Sequence, residues 1–198
     1  MLITASELGH TFGNYPLFKK LSFVMRAGEV VSIMGPSGSG KTTLLGIIAG
    51  WTIPTTGSVT HENVTTIRWV FQNPHGVSRR TALDHVVLPL LAGGRGRRDA
   101  EIRAGDLMAD VGLNNVKGKQ FRSLSGGEAQ RLMFARALAG APDLILVDEP
   151  TAQLDPANSA AVISAMKALA GRGSIVVVAT HDPNVAQACT RQIGLSAQ

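Results

Sequence analysis

Cysteine, aromatic residues and long apolar runs are all scarce in this 198-residue chain. The single Cys189 excludes an internal disulfide and a cysteine-rich metal site, and it suits a reducing compartment. No apolar run approaches the roughly 18 residues that span a bilayer. Residues 1–7 have neither the basic flank nor the cleavage site of a secretory signal. We therefore expect a cytoplasmic protein, unless a partner holds it at a membrane.

The chain is moderately basic, with a formal net charge of +5. A net positive charge is typical of proteins that bind nucleic acid, acidic lipid or an acidic partner. The arginines in the middle of the chain are Arg79, Arg80, Arg95, Arg97, Arg98 and Arg103. Aromatic residues make up only 5% of the chain and do not alternate with these arginines, so stacking on single-stranded nucleic acid is poorly supported. We expect no nucleic-acid partner and interpret the arginines as a solvated helical face.

Hydrophobic patterns predict an α/β fold with two lobes. β-Branched runs predict strands at Leu2–Leu8, Leu17–Val24, Val30–Met34, Thr66–Phe71, Asp143–Val147, Ser174–Ala179 and Gln192–Leu195. Apolar periodicity predicts helices at Thr42–Ala49, Leu83–Leu91, Arg98–Val111, Gly127–Ala139, Pro156–Ala170 and Asn184–Ala188. Because strands flank a helical middle, we expect residues 1–72 and 143–198 to form a core with a mostly parallel sheet. Residues 73–142 are then an inserted helical subdomain.

The segment from Gly35 to Thr42 matches the phosphate-binding pattern G-x-x-x-x-G-K-[ST]. It lies between a predicted strand and a predicted helix, which distinguishes a P-loop from an ordinary glycine-rich turn. Glycines allow backbone N–H groups to approach phosphate oxygens, and the helix N-terminus adds positive potential. We expect Lys41 to reach the β- and γ-phosphates of ATP and the Thr42 hydroxyl to bind Mg²⁺. The predicted nucleotide-binding residues here are Gly35, Pro36, Ser37, Gly38, Ser39, Gly40, Lys41, Thr42 and Thr43.

Two acids, Asp148 and Glu149, end another predicted strand. In an open α/β sheet, ligands bind at the carboxyl ends of the strands, so both acids should lie beside the phosphates. Adjacent strand residues face opposite sides, which allows the two acids different roles. We assign Asp148 to orienting Mg²⁺ and Glu149 to polarising the attacking water.

Two further polar residues follow predicted strands. His181 comes after the run Ile175–Ala179, and its imidazole is a candidate to hydrogen-bond a γ-phosphate oxygen. Gln72 follows Trp69–Phe71, and its amide is a candidate ligand of Mg²⁺ or of the attacking water. With Lys41 and Glu149, these two residues complete the predicted catalytic set.

A second motif, Leu124-Ser125-Gly126-Gly127-Glu128, is followed by Gln130-Arg131. Together with the P-loop, the two acids and His181, it resembles the ATP-binding subunit of an ABC transporter, over nearly the whole chain and in the family's order. The resemblance implies a RecA-like P-loop core with a small antiparallel β portion. It also implies a head-to-tail dimer, in which each ATP lies between one subunit's P-loop and the other's signature segment, residues 124–128. Ser125, Gly126, Gly127 and Glu128 are then nucleotide-binding residues.

The same resemblance implies partners: a transmembrane permease subunit and a second ABC ATPase subunit, identical or different. ATP hydrolysis would drive the permease from the cytoplasmic face of the cell membrane, where this subunit is peripheral. The polar, basic segment Asn73–Arg80 replaces the apolar stretch often found after Gln72, which implies an acidic docking helix on the permease. The run Leu88–Leu91 and the segment Val111–Leu113 are weakly similar to the subgroup of lipoprotein release, macrolide export and peptide resistance. They do not identify the cargo.

Individual residues also receive roles from the resemblance. Gln72 begins the loop that couples nucleotide state to the permease, His181 is the switch histidine, and Asp155 belongs to the nucleotide-contacting loop after the second acid. Phe12 occupies the position of an aromatic residue that stacks on adenine. Tyr15 is the competitor for that role, and core packing is the alternative for Phe12.

Two other functions compete with transport. The first is a soluble ABC-type ATPase that acts in DNA repair, translation or cluster assembly. The DNA-repair kind would need a long coiled-coil insertion, and the translation kind would need two such domains; this sequence has neither. A regulatory protein that holds ATP without turnover is disfavoured because Glu149 and His181 are both present. The motor subunit of a membrane transporter remains the favoured interpretation.

Overall fold

The computed structural model describes residues 1–151 and 156–195, with the side chains of 156–158 excepted. The strands are β1 (Leu2–Phe12), β2 (Tyr15–Arg26), β3 (Val30–Met34), β4 (Thr56–Glu62), β5 (Ile67–Val70), β6 (Leu144–Asp148), β7 (Ile175–Thr180) and β8 (Arg191–Gly194). The helices are α1 (Lys41–Ile48), α2 (Ala82–Ala92), α3 (Arg97–Asp110), α4 (Gly126–Ala139), α5 (Pro156–Ala170) and α6 (Pro183–Gln187). Each predicted helix is confirmed, with ends that differ by at most one residue.

A five-stranded parallel sheet forms the centre of the molecule, in the order β5-β6-β7-β3-β8. Every residue of β6 and β7 is buried, as expected of parallel strands that are covered on both faces. Alternate residues of β6 belong to two different apolar cores. Ile145 and Val147 pack with residues of α2, α4 and α5, whereas Leu144 and Leu146 pack with α1 and β1. The predicted α/β fold with a mostly parallel sheet is confirmed.

A second, antiparallel sheet has the order β2-β1-β4 and covers α1 on one side of the core. The hydrophobic pattern predicts no strand at residues 56–62, yet β4 pairs with β1 from Leu2 to Gly9. Only Val59 of β4 is partly buried, so the strand has almost no apolar alternation to detect. The small antiparallel portion that the resemblance implied is present.

Three helices, α2, α3 and α4, lie between β5 and β6 in sequence and pack on one another. Phe134 on α4 is fully buried in their shared core. Thr81 caps α2 by accepting a hydrogen bond from the Asp84 N–H, while the Asp84 carboxylate accepts from the Thr81 N–H. The boundaries of the helical subdomain, which we place after residue 72 and after residue 142, stay a prediction. None of the described helices is long and apolar enough to cross a membrane.

Asp143 joins the amino-terminal ends of β5 and β6. Its carboxylate Oδ2 accepts hydrogen bonds from the backbone N–H groups of Thr65 and Thr66, at 2.8 and 2.9 Å, and from their two hydroxyls. The backbone donors and then the hydroxyls lower the pKa of Asp143 to about 2. Neighbouring strands are therefore held in register at this edge by a carboxylate that stays ionised to a lower pH than an ordinary aspartate does.

We predict that Asp143→Asn lowers the free energy of unfolding at pH 7 by about 1–2 kcal/mol, because an amide replaces an ionised acceptor of four donors. The folded pKa lies below the unfolded one, so this contribution is present above about pH 4 and is lost as the pH falls through the folded value. Denaturant unfolding from pH 7 to pH 3 measures the difference. Asp106→Asn, on the exposed side of α3, is the control; a difference independent of pH contradicts the assignment.

Candidate nucleotide site

The P-loop connects β3 to α1, and its glycines are required by the geometry. Gly38 and Gly40 have positive φ angles of 80° and 91°, a region that side chains with Cβ rarely adopt. A Cβ on Gly35 would lie 2.5 Å from Ser39 Oγ and 2.8 Å from the Leu195 carbonyl oxygen. The loop can therefore follow this path, with α1 starting at Lys41, only with glycine at these positions.

Lys41 is buried, and its ammonium group has three oxygen partners. Nζ donates hydrogen bonds to the carbonyl oxygens of Gly35 (2.9 Å) and Pro36 (3.1 Å), and it lies 3.4 Å from Glu149 Oε1. The positive charge is thus held over the turn of the P-loop, where an anionic phosphate would meet it.

Asp148 and Thr42 lie side by side, although 106 residues separate them in sequence. The Thr42 hydroxyl donates to Asp148 Oδ2 at 2.8 Å. Burial raises the pKa of Asp148, an effect that the Thr42 hydrogen bond opposes and the neighbouring Glu149 charge adds to. A nearby cation would reverse this shift, so the pair has the chemistry of a site for a hard divalent ion.

Glu149 follows β6 in a left-handed backbone conformation, with φ of 44°. Its N–H donates to the Ala179 carbonyl at 2.9 Å, which ties the turn to β7. The carboxylate lies between Lys41 and His181, and its Oε2 is 2.9 Å from His181 Nδ1. Such backbone conformations cost about 1–3 kcal/mol for residues other than glycine and are enriched at functional sites. The backbone and two cationic or hydrogen-bonding partners thus orient this acid.

These residues line one open cleft of about 680 Å³. The predicted residues on its walls are Phe12, Pro36, Ser37, Gly38, Gly40, Lys41, Thr42, Thr43, Gln72, Asp148, Glu149 and His181. Gly35 and Ser39 belong to the P-loop but lie behind this surface. The structure therefore brings together predicted residues from five separate segments, while their individual roles stay predictions.

The two aromatic candidates differ in position. Phe12 is 74% exposed and lines the cleft, so the core-packing alternative is wrong. Tyr15, paired with Phe12 across the β1–β2 hairpin, is 78% exposed and lies outside the cleft lining.

Sequence reasoning missed Leu17, which lines the cleft from β2. Its Cβ lies 3.0 Å from the position that a Cβ on Gly40 would occupy. An apolar residue on an antiparallel strand gave no signal for this contact.

The signature segment lies apart from this cleft and forms the start of α4. Ser125 caps the helix: its hydroxyl accepts from the Glu128 N–H, and Glu128 Oε2 accepts from the Ser125 N–H at 2.7 Å. The Ser125 N–H, and then Lys119 at 3.3 Å, lower the pKa of Glu128. Ser125 and Gly126 are exposed, and none of residues 125–128 lines the P-loop cleft. Asp155 lies outside the described residues.

Comparison with known proteins places this geometry in a family. The ABC transporter family model matches residues 18–152. The lipoprotein-releasing system ATP-binding protein LolD 2 of Caulobacter vibrioides is 37% identical, across 92% of this chain and 87% of that protein. The chain belongs to the ABC transporter ATP-binding family. Its fold and its P-loop ATPase architecture are those of an ABC cassette.

Other members of the family differ in the function that their names describe. The probable anion import ATP-binding protein of Haloferax volcanii is 35% identical, across 91% of this chain and 72% of that protein. A solved dimeric ATP-binding cassette in a post-hydrolysis state, bound to ADP and Pi, is 33% identical with a TM-score of 0.85; the match covers 99% of this chain and 96% of that chain. The ABC ATPase assignment therefore has support from both sequence and structure.

We predict that Lys41→Ala abolishes ATP hydrolysis, because the transferring phosphate loses a fixed positive charge in both the bound and the transition state. Phosphate release by the purified protein measures this, with the exposed Lys19→Ala on β2 as the charge-matched control. Turnover near the wild-type rate in Lys41→Ala would contradict the assignment of the P-loop.

Proposed function

We propose that this ABC ATPase hydrolyses ATP in sites shared between two head-to-tail subunits, with Glu149 as the general base, and that it drives a transmembrane permease. The observation that supports this proposal is that two candidate anion-binding sites, the P-loop and the N-terminus of α4, lie apart on the same chain. The cleft contains the P-loop and an oriented carboxylate, whereas the capped, exposed start of α4 lies elsewhere on the same chain. Each chain then contributes half of two composite sites.

Glu149 suits the role of general base because its position is fixed and its carboxylate faces the cleft. A carboxylate there accepts a proton from water as the water attacks the γ-phosphate. His181 has a side chain that is 66% exposed and touches Glu149. Its imidazole can therefore orient the base and also donate to a phosphate oxygen. The Lys41 ammonium group contacts two carbonyl oxygens and a carboxylate oxygen. In the same position it would stabilise the negative charge of the transferring phosphate.

Thr42, Asp148 and Gln72 are the residues that we propose to hold Mg²⁺. A hydroxyl, a carboxylate and an amide oxygen are hard donors, and Mg²⁺ in such sites takes its remaining ligands from phosphates and water. No group of three or more His, Cys, Asp or Glu side chains within residues 1–151 and 159–195 could hold a metal, which agrees with a cation that enters together with ATP. When bound, the cation would neutralise charge on the β- and γ-phosphates.

Ser125, Gly126 and Gly127 are the residues that we propose to close on the partner's ATP. They start a helix of 14 residues, so their N–H groups and the helix dipole favour an anion there. Glu128 has two partners within its own chain, Ser125 and Lys119, and it would act by holding this turn in shape. Phe12, exposed at the cleft, would stack on adenine.

We propose that the permease docks in a groove of about 550 Å³ beside Gln72, between β5 and the helices α2 and α4. The rings of Trp69 and Phe71 stack in it at 5.3 Å, and the ring of Trp51 continues the stack at 4.8 Å. The charged residues of the described lining are Arg68 and Arg136, without a carboxylate. An amphipathic permease segment with acidic residues would match this surface and would hold the subunit at the cytoplasmic face of the membrane.

Co-purification with a polytopic membrane protein separates this proposal from the alternative of a soluble ABC-type ATPase. Because the relatives' names include both lipoprotein release and anion import, the proposal names the motor function and leaves the cargo open.

We predict that Glu149→Gln binds ATP, hydrolyses it about 10²–10⁴ times more slowly and forms an ATP-dependent dimer, because the amide keeps the shape but cannot take the proton. Adding Ser125→Arg should prevent the dimer, since a bulky cation obstructs the surface that closes on the partner's γ-phosphate. Light scattering with and without ATP measures both effects.

The control for this experiment is Ser58→Arg in the same Glu149→Gln background, an equal change on the exposed side of β4. Ser125→Arg also removes a helix cap, at a cost of about 1 kcal/mol, so thermal unfolding and ATP binding of the monomer must be measured. An ATP-dependent dimer that survives Ser125→Arg, or full turnover by a monomer, would show that the shared site is wrong.

A further inference from the structure

A second cavity, of about 660 Å³, lies at the edge of the parallel sheet opposite the P-loop. Asp143 and Ser174, which precede β6 and β7, are among its lining residues. The nucleotide cleft, in contrast, adjoins the carboxyl ends of β3, β6 and β7. This second cavity shares no lining residue with the nucleotide cleft, and it shares Arg68, Pro89 and Ala92 with the proposed permease groove.

Four arginines line this cavity: Arg68, Arg95, Arg103 and Arg172. They come from β5, from the turn after α2, from α3 and from the turn after α5, so the fold gathers charges that are scattered in sequence. Arg103 is half-buried. Concave walls concentrate the potential of such a cluster.

Within residues 1–151 and 159–195, little negative charge balances these arginines. Asp143 is the one carboxylate among the described lining residues, and its hydrogen bonds to Thr65 and Thr66 already occupy it. Arg172 has an ion pair with Asp110, at 3.7 Å between half-exposed side chains. In that part of the chain, Arg68, Arg95 and Arg103 have no carboxylate within 4.0 Å.

The arginines could instead serve as caps for the carboxyl ends of α2 and α4, which also line the cavity. However, backbone N–H groups already cap those ends. The carbonyls of Pro89, Leu90 and Leu91 accept from Gly93, Arg95 and Gly94, and the carbonyls of Ala137 and Leu138 accept from Gly140 and Ala141. Arg68 donates to the neighbouring Ile67 carbonyl instead. The guanidinium groups are therefore not needed as helix caps.

We propose that this cavity binds a phosphate group, supplied either by the headgroup of an acidic lipid or by a soluble phosphate. Guanidinium groups recognise phosphate through paired N–H donors, and several of them suit an ion with more than one negative charge. The cavity volume accommodates a headgroup-sized ligand. Arg68 also lines the adjoining permease groove, so a bound phosphate would lie next to that surface. The proposal does not depend on dimerisation or on hydrolysis.

The test compares two double variants of the 198-residue chain that lose the same charge. Arg68→Gln with Arg103→Gln alters the cavity, whereas Arg79→Gln with Arg98→Gln removes two exposed arginines outside it. Both are made in a Lys41→Ala background, which weakens the P-loop as a competing phosphate site. One arm titrates inorganic phosphate by calorimetry. The other measures co-sedimentation with vesicles of phosphatidylglycerol in phosphatidylcholine, and with phosphatidylcholine alone.

We expect saturable binding in at least one arm, about tenfold weaker in the cavity variant and unchanged within about twofold in the control. Binding of inorganic phosphate identifies a soluble ligand, and binding only to phosphatidylglycerol vesicles identifies a lipid headgroup. Equal losses in both variants would reveal general basic attraction and overturn the proposal, as would no binding in either arm. If the cavity variant unfolds, Arg95→Gln with Arg103→Gln replaces it, because Arg95 is exposed in a turn.

Discussion

The parallel register of β3, β7 and β6 is the constraint on which the nucleotide site depends. Met34 pairs with Thr180, and Asp148 pairs with Ala179, so these three strands end at the same level. The P-loop, His181 and Glu149 each begin directly after one of those ends. A slip of one residue in either pairing would turn alternate side chains to the other face and separate the acids from Lys41.

Short polar contacts then convert this alignment into a defined site. Thr42 and Asp148 join α1 to β6, and Glu149 joins the P-loop lysine to the histidine after β7. All three contacts are between segments far apart in sequence, so each one depends on the fold being complete. The signature segment needs no such support, because its capping box is local to α4. One half of the proposed composite site is therefore built by tertiary structure and the other half by a single helix start.

Sequence patterns predicted the elements whose structure is determined by their own local sequence. Buried strands, helix starts and the glycine-dependent P-loop all have strong local signals, and the helix bounds agree with the structure within one residue. The pattern failed for β4, whose side chains are almost all exposed and whose position depends on pairing with β1. Leu17 was missed for a related reason: its contact with Gly40 comes from the tertiary packing of β2 against the P-loop. The arginine cavity was equally invisible, since its residues are far apart in the sequence.

Strand β5 connects the three surfaces for which roles are proposed above. Arg68 near its start lines both the arginine cavity and the docking groove, Trp69 lines the groove, and Gln72 just beyond its end lines the nucleotide cleft. The strand is at the edge of the parallel sheet, where it pairs with β6. The Asp143 contacts restrain its start, whereas the residues after Val70 continue into the bend at Gln72. Phe71 and Asn73, on either side of Gln72, line the proposed docking groove. A ligand that moved Gln72 would therefore also move part of that groove, and this continuity of the chain is a physical basis for the coupling proposed above.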